Sequence, residues 1–178
     1  MKTKVLFLFT ITFTLFSCES SNEPLEITNA EIVGTWNLTK QTLEAEYTLT
    51  SQGQTQNHMI LNANAEDIDA TFTFSNKPNE LVINGSYKLV TTSTYSGATY
   101  NEEETFNTNI TPFKPVYWYL NGNNLNFTDD TSQFMSNVFY IEEYSSNHLK
   151  LKGEFNHTET ISDITEIVTE VIYIELER

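Results

Sequence analysis

The sequence predicts an all-β domain, an antiparallel up-and-down meander of about eight to ten strands that closes into a small barrel. Three observations carry this. Apolar and polar residues alternate with period two from Ile32 onward, as they do in strands with one buried face. Turn-forming residues separate the alternating runs at short intervals. No stretch of the body repeats apolar residues at helical spacing, and its Thr, Tyr, Phe, Val and Ile suit a pleated surface.

The runs follow in order. Ile32, Gly34, Trp36 and Leu38 set one apolar phase, whereas Leu43, Ala45, Tyr47 and Leu49 set the opposite one. A phase switch near Lys40 to Thr42 predicts a bulge or sharp bend in a long first strand. Ile68, Ala70, Phe72 and Phe74 share the next apolar face, opposite Asp67, Asp69, Thr71 and Thr73. Leu81, Ile83, Tyr87 and Leu89 alternate with Asn84, Ser86 and Lys88. Val116, Trp118 and Leu120 alternate with Tyr117 and Tyr119, and Leu125 and Phe127 alternate with Asn124 and Asn126. Leu149, Leu151 and Phe155 alternate with Lys150, Lys152 and Glu154. The β-branched residues of Ile161 to Ile167 favour extension. Asn121-Gly122-Asn123 reads as a tight hairpin, and Ser96-Gly97 as another. Asn76 to Asn79 and Ser145 to Asn147 read as longer turns. Glu102 to Glu104 reads as a solvated strand face or loop.

A chain of 178 residues allows one domain with a real core. Aromatic residues at 13% argue against disorder. The formal net charge is -15, and the few Lys and Arg are scattered, so nucleic acid and anionic surfaces are repelled and no nucleic-acid partner is expected. A single cysteine excludes an internal disulfide.

The first 18 residues differ from the rest. Lys2 and Lys4 precede an apolar run from Val5 to Phe16 of 12 residues, too short to cross ~30 Å of hydrocarbon as a helix and fitting for a signal segment. Leu15-Phe16-Ser17-Cys18 resembles a bacterial lipobox, with a looser Phe16 than usual. The resemblance implies cleavage before Cys18 and acylation of it, which anchors the protein to a membrane. The expected organisation is a signal peptide over 1–17, a flexible tether over 18–31 and a barrel over 32–178. A tether from Glu19 to Glu31 reaches at most ~45 Å. The expected address is the cell envelope, at the outer membrane.

Two motifs carry a family resemblance. Gly34-Thr35-Trp36 in the first strand looks like the Gly-x-Trp signature of lipocalins, where Gly permits tight entry and Trp plugs the closed end. Trp118 to Leu125 resembles the W-x-x-x-G-x-x-L hairpin of lipocalin-like lipoproteins of Bacteroidetes. Through strand spacing the resemblance extends from Ile32 to Arg178. It implies an arginine from the last strand stacked on the signature tryptophan, here Arg178 over Trp36 as a barrel-closing pair. The chain departs from the family in lacking a helix after the main strands and the loop motifs of the animal members.

Catalytic constellations are missing. His58, His148 and His157 are not spaced as a ligand pair and read as solvated. No Gly-x-Ser-x-Gly elbow or phosphate loop occurs. The carboxylate pairs Asp67/Asp69, Asp129/Asp130, Glu142/Glu143 and Glu44/Glu46 are expected by chance among 24 acids. The chain therefore reads as a non-enzyme with no cofactor or metal, and as a monomer. Two functions remain. One is a binding module for a small apolar or amphipathic ligand, lined by Phe72, Phe74, Tyr87, Trp118, Phe127 and Phe155. The other is an envelope interaction protein with a filled barrel, using an exposed patch of Tyr117, Tyr119 and Tyr140. An interior of about eight strands has room for side chains or one small ligand.

Overall fold

The computed structural model describes residues 27–107, 116–128 and 138–178. Cys18, the signal segment, most of the tether and Asp129-Asp130 lie outside the described residues. One helical turn, α1 (Asn29–Ile32), leads into nine strands. These are β1 (Gly34–Ser51), β2 (Gln54–Phe74), β3 (Glu80–Tyr95), β4 (Ala98–Asn107), β5 (Val116–Asn121), β6 (Asn124–Thr128), β7 (Val138–Ser145), β8 (His148–Ile161) and β9 (Ile164–Glu177).

All pairings are antiparallel, and nearly all join strands consecutive in sequence. β9 returns to β1, with Leu176 opposite Leu38 and Val168 opposite Tyr47. β5 joins β3 at Glu80 and Leu81, which closes a ring of β1, β2, β3, β5, β6, β7, β8 and β9. β4 lies on the same edge of β3 higher up, against Ser86 to Tyr95. The fold is thus the expected antiparallel barrel, with one strand standing outside the ring.

Local sequence explains the corners. Gln52-Gly53 and Ser96-Gly97 both hold positive φ, the twist that suits a two-residue hairpin. The Gln52-Gly53 turn divides what alternation alone leaves as one long run. Ser162-Asp163 likewise splits Ile161 to Ile167 between β8 and β9. The predicted switch in β1 is a register shift between Leu38 and Lys40 against β9. It carries the inward phase from Trp36 and Leu38 to Leu43, Ala45, Tyr47 and Leu49. A second shift, between Glu66 and Asp69 of β2, has Asp67 at φ 49°.

The core fills the lower barrel. Trp36, Trp118, Phe72, Phe74, Phe127, Phe139 and the inward leucines of β3, β6, β8 and β9 form one buried cluster. Such burial is the main driving force, at ~25 cal/mol per Å² of apolar surface. The described residues begin at Ile27, within the segment expected as tether. Thr28 and Glu31 form a capping box, Ile32 is fully buried, and Ile27 packs against the core. Alternation cannot reveal a single helical turn.

Candidate functional site

The lower end of the barrel is sealed by residues far apart in sequence. The Trp36 indole N–H donates to the Ile32 carbonyl at 2.8 Å. The Arg178 guanidinium lies over the Trp36 ring, 3.9 Å from its centroid. Its Nη2 donates to the carbonyls of Glu31, Ile32 and Val33 at 3.1, 3.3 and 2.7 Å. The cation thus adds a charged donor to the helix-end carbonyls, of which Ile32 also accepts from Trp36 and Glu31 from the Tyr144 hydroxyl. Gly34, at φ 135°, leaves room for it, since a Cβ there would lie 3.1 Å from Nη2. The expected stacking of Arg178 on Trp36 is present.

Above this plug the sequence-predicted lining residues divide. Phe72, Phe74, Trp118 and Phe127 are buried in the filled core. Phe74 meets Trp118 edge to face at 5.6 Å, and Phe127 meets Phe139 in the same way at 5.7 Å. These four fill the barrel and do not border open space. Tyr87 and Phe155 are different: both are half-buried, on β3 and β8, above the sealed layer. Tyr87 stacks on Phe106 of β4 at 5.2 Å and is hydrogen-bonded by the Gln41 side chain. Burial pushes the Tyr87 hydroxyl pKa up, and Gln41 opposes that shift.

Strand length creates the opening. β5, β6 and β7 end early, while β8, β9, β1, β2, β3 and β4 continue upward as a curved sheet in that order. Its inward face extends the barrel lumen as a half-open trough. The ladder places Leu43, Tyr47, Leu49, Met59, Leu61, Leu89, Phe155 and Ile172 on it, all half-buried. Ala45, Ala63 and Val168 are buried among them.

One charged side chain sits in this apolar face. Glu170 of β9 is only 3% exposed, between Ala45 of β1 and Phe155 of β8. The Tyr47 hydroxyl donates to its Oε1 at 2.6 Å. Its Oε2 has no hydrogen-bond partner, a costly state for a buried oxygen. Among the described residues Trp118 Nε1 is the other buried side-chain atom without a partner, and it lies in the sealed core. The remaining ionisable groups on the trough face are Glu102, Glu104, Glu159, Glu166 and His157, all exposed, with His157 beside Glu159. Among the described residues no Lys or Arg shares this face: Lys40, Lys88, Lys150 and Lys152 pair with Glu on the outer wall. Glu170 escaped the sequence reading, although it stands in phase with Val168, Ile172, Ile174 and Leu176, a position where a carboxylate is conspicuous.

Burial first, then the hydrogen bond and charge of Glu170, push the Tyr47 pKa from 10.0 up to about 12. Between these values the folded protein keeps a proton that the unfolded chain releases. This contribution to stability is whole below pH 10 and is lost as pH rises through about 12. Thermal melts from pH 9 to 12 should show it, and Tyr47→Phe should flatten that part of the profile. An unchanged slope in the variant would remove Tyr47 as the cause.

The outer wall is polar along β1 and β2, where Asn37, Glu44, Glu46, His58, Asn62, Asn64 and Asp69 are exposed. His58 meets Glu46 at 2.9 Å, His148 lies 3.8 and 3.9 Å from Glu143 and Glu177, and His157 lies 3.7 Å from Glu159. His148 opens β8, and His157 lies within that strand on the trough side, opposite Val168. Asp67 and Asp69 are exposed, Glu44 and Glu46 point outward, and Glu142 and Glu143 both bind Lys150. An open outer depression of about 590 Å³ is lined by Lys40, Glu142, Lys150, Tyr173 and Glu175 among others. Its lysines are already paired. Among the described residues no three His, Cys, Asp or Glu converge as metal ligands. Tyr117, Tyr119 and Tyr140 are 52%, 48% and 50% exposed on β5 and β7, with Val138 beside them at 45%. Asn124 and Asn126 of β6 lie between those strands.

No protein-family model matches the chain, and no curated protein does. One solved structure is similar: that of Ail, the attachment invasion locus protein of Yersinia pestis, at 8% identity and a TM-score of 0.22, over 81% of this chain and 99% of that one. A likeness of that degree says nothing about activity.

Proposed function

We propose that the chain is a lipocalin-like lipoprotein of the cell envelope, anchored through Cys18, whose upper trough holds a small apolar or amphipathic ligand. The observation that carries this reading is the half-buried apolar face above a sealed and filled lower barrel. Small-molecule sites are concave, mostly apolar and furnished with a few polar groups. Leu43, Leu61, Leu89, Phe155 and Ile172 supply the first character, and Tyr47 with Glu170 the second. The Gly34–Trp36–Arg178 closure supports the family resemblance. A lipid-facing barrel needs an apolar outer band about 25 Å tall, whereas the exterior of β1 and β2 is charged. Attachment through acyl chains on Cys18 fits such a wall better than insertion of the wall itself. Two acyl chains suffice for stable anchoring.

The interaction reading draws on the exposed Tyr117, Tyr119, Val138 and Tyr140, an apolar cluster set among asparagines. One experiment separates the two. Protein extracted from its own membranes is analysed by native mass spectrometry, together with a Cys18→Ala variant. The expected result is an acylated wild type in the membrane fraction that retains a small molecule, and a variant released from membranes. A wild type lacking acyl mass would refute the anchor. Retention of a protein or glycan, with no small molecule, would favour the tyrosine face.

A further inference from the structure

We propose that the trough selects ligands carrying a protonated amine on an apolar body, with Glu170 Oε2 receiving the ammonium group. This inference rests on the ligand-binding reading above and deepens it.

Glu170 is the starting point. Its carboxyl group is buried in an apolar wall, and its Oε2 lacks a partner. Tyr47 cannot serve both oxygens, since its single O–H is already given to Oε1. Apolar residues surround the group in the ladder: Ala45 and Phe155 at the paired positions, Val168 and Ile172 along its own strand. A protein that needed only stability would place another aliphatic residue there. A hydrogen-bond donor arriving with a ligand would complete the set.

The sign of that donor comes from the rest of the face. Glu102 and Glu104 stand along the β4 edge of the trough and Glu159 and Glu166 near its top, where His157 meets Glu159 at 3.7 Å, and no described Lys or Arg faces inward. Negative potential in a concave, poorly hydrated site attracts cations and repels carboxylates. An ammonium offers three donors and a charge, which suits a buried carboxylate better than an alcohol does. The small side chains of Ala45 and Ala63 leave the wall beside Glu170 low, while Leu43, Leu61 and Phe155 offer apolar contact for the body of the ligand.

The test uses the full chain in lipid nanodiscs in about 0.15 M salt, which screens exposed charges. Empty nanodiscs correct for partitioning. Hexylamine, hexanol and hexanoate are titrated by calorimetry against wild type, Glu170→Gln, Tyr47→Phe and an outer-wall control, Glu66→Gln. Hexylamine should bind wild type at least about tenfold more tightly than hexanol, with hexanoate weakest; that ratio corresponds to ~1.4 kcal/mol. Glu170→Gln should abolish the preference while keeping hexanol affinity. Tyr47→Phe should reduce the preference, and Glu66→Gln should leave it intact. Equal binding of the three probes would overturn amine selection while the apolar trough stands. A preference that survives in a folded Glu170→Gln would also overturn it. Binding of none would remove both the inference and the ligand-binding reading. Melting curves establish folding of each variant, and if Glu170→Gln fails to fold, the wild-type ranking and Tyr47→Phe decide the matter.

Discussion

Gly85→Ala should destabilise the fold by roughly 3 kcal/mol or more, because two penalties coincide at this position. Gly85 holds φ 102°, a backbone conformation that L side chains rarely adopt. A Cβ built there would overlap the Asp69 carbonyl oxygen, and that oxygen belongs to a ladder strand that cannot swing aside. The close approach arises from the register shift between Glu66 and Asp69, which brings β2 against β3 at Ala70 and Gly85. For a chain of this size such a loss lowers Tm by about 6–12 °C. Thermal and urea unfolding both read it. A melting temperature within a degree of wild type would mean that the β2 backbone relaxes freely, and the bulge would then not be the rigid corner described above. Gly97→Ala provides a contrast, since nothing lies within 4 Å of a Cβ at that turn.

Trp36→Ala should cost about 3–5 kcal/mol, the usual range for removing a large buried aromatic side chain. The residue is fully buried, donates to the Ile32 carbonyl and supports the Arg178 guanidinium. Arg178→Ala alone should cost about 1–2 kcal/mol, through the lost cation–π contact and the lost guanidinium hydrogen bonds, of which the one to the Val33 carbonyl is the shortest. The two effects should not add. With Trp36 gone, Arg178 has lost its platform, so the double variant should be less unstable than the sum by about 0.5–1.5 kcal/mol. Urea denaturation of the four proteins measures this coupling. Strict additivity would show that the stacked geometry contributes nothing, and that each residue acts only through its separate hydrogen bonds.

These two sites differ in how visible they are in the chain. The closing pair could be anticipated, because Gly-x-Trp is a local motif and Arg178 is the sole arginine. Gly85 stood out in no way. Its role depends on where β2 bulges against a strand that follows it in sequence, which is a matter of register. Glu170 lies between the two cases. Alternation along β9 shows a carboxylate among inward aliphatic residues, but its orphaned oxygen appears only when β1 and β8 are laid on either side.

What the sequence determined by itself was the all-β class, the faces of the alternating runs and several of the corners. A period-two pattern is local, and each alternating run states which residues share a side. It also determined the bend in β1, because a bulge shifts the apolar phase within one strand. What the tertiary structure decided was depth. Phe72, Phe74, Trp118 and Phe127 share an inward phase with Tyr87 and Phe155, yet the first four are sealed in the core and the last two border a half-open trough. The difference lies in the neighbours: β5, β6 and β7 are short, so they cover only the lower ends of the longer strands. Burial is a property of everything packed around a side chain, and the alternation of one strand carries no information about where its neighbours stop.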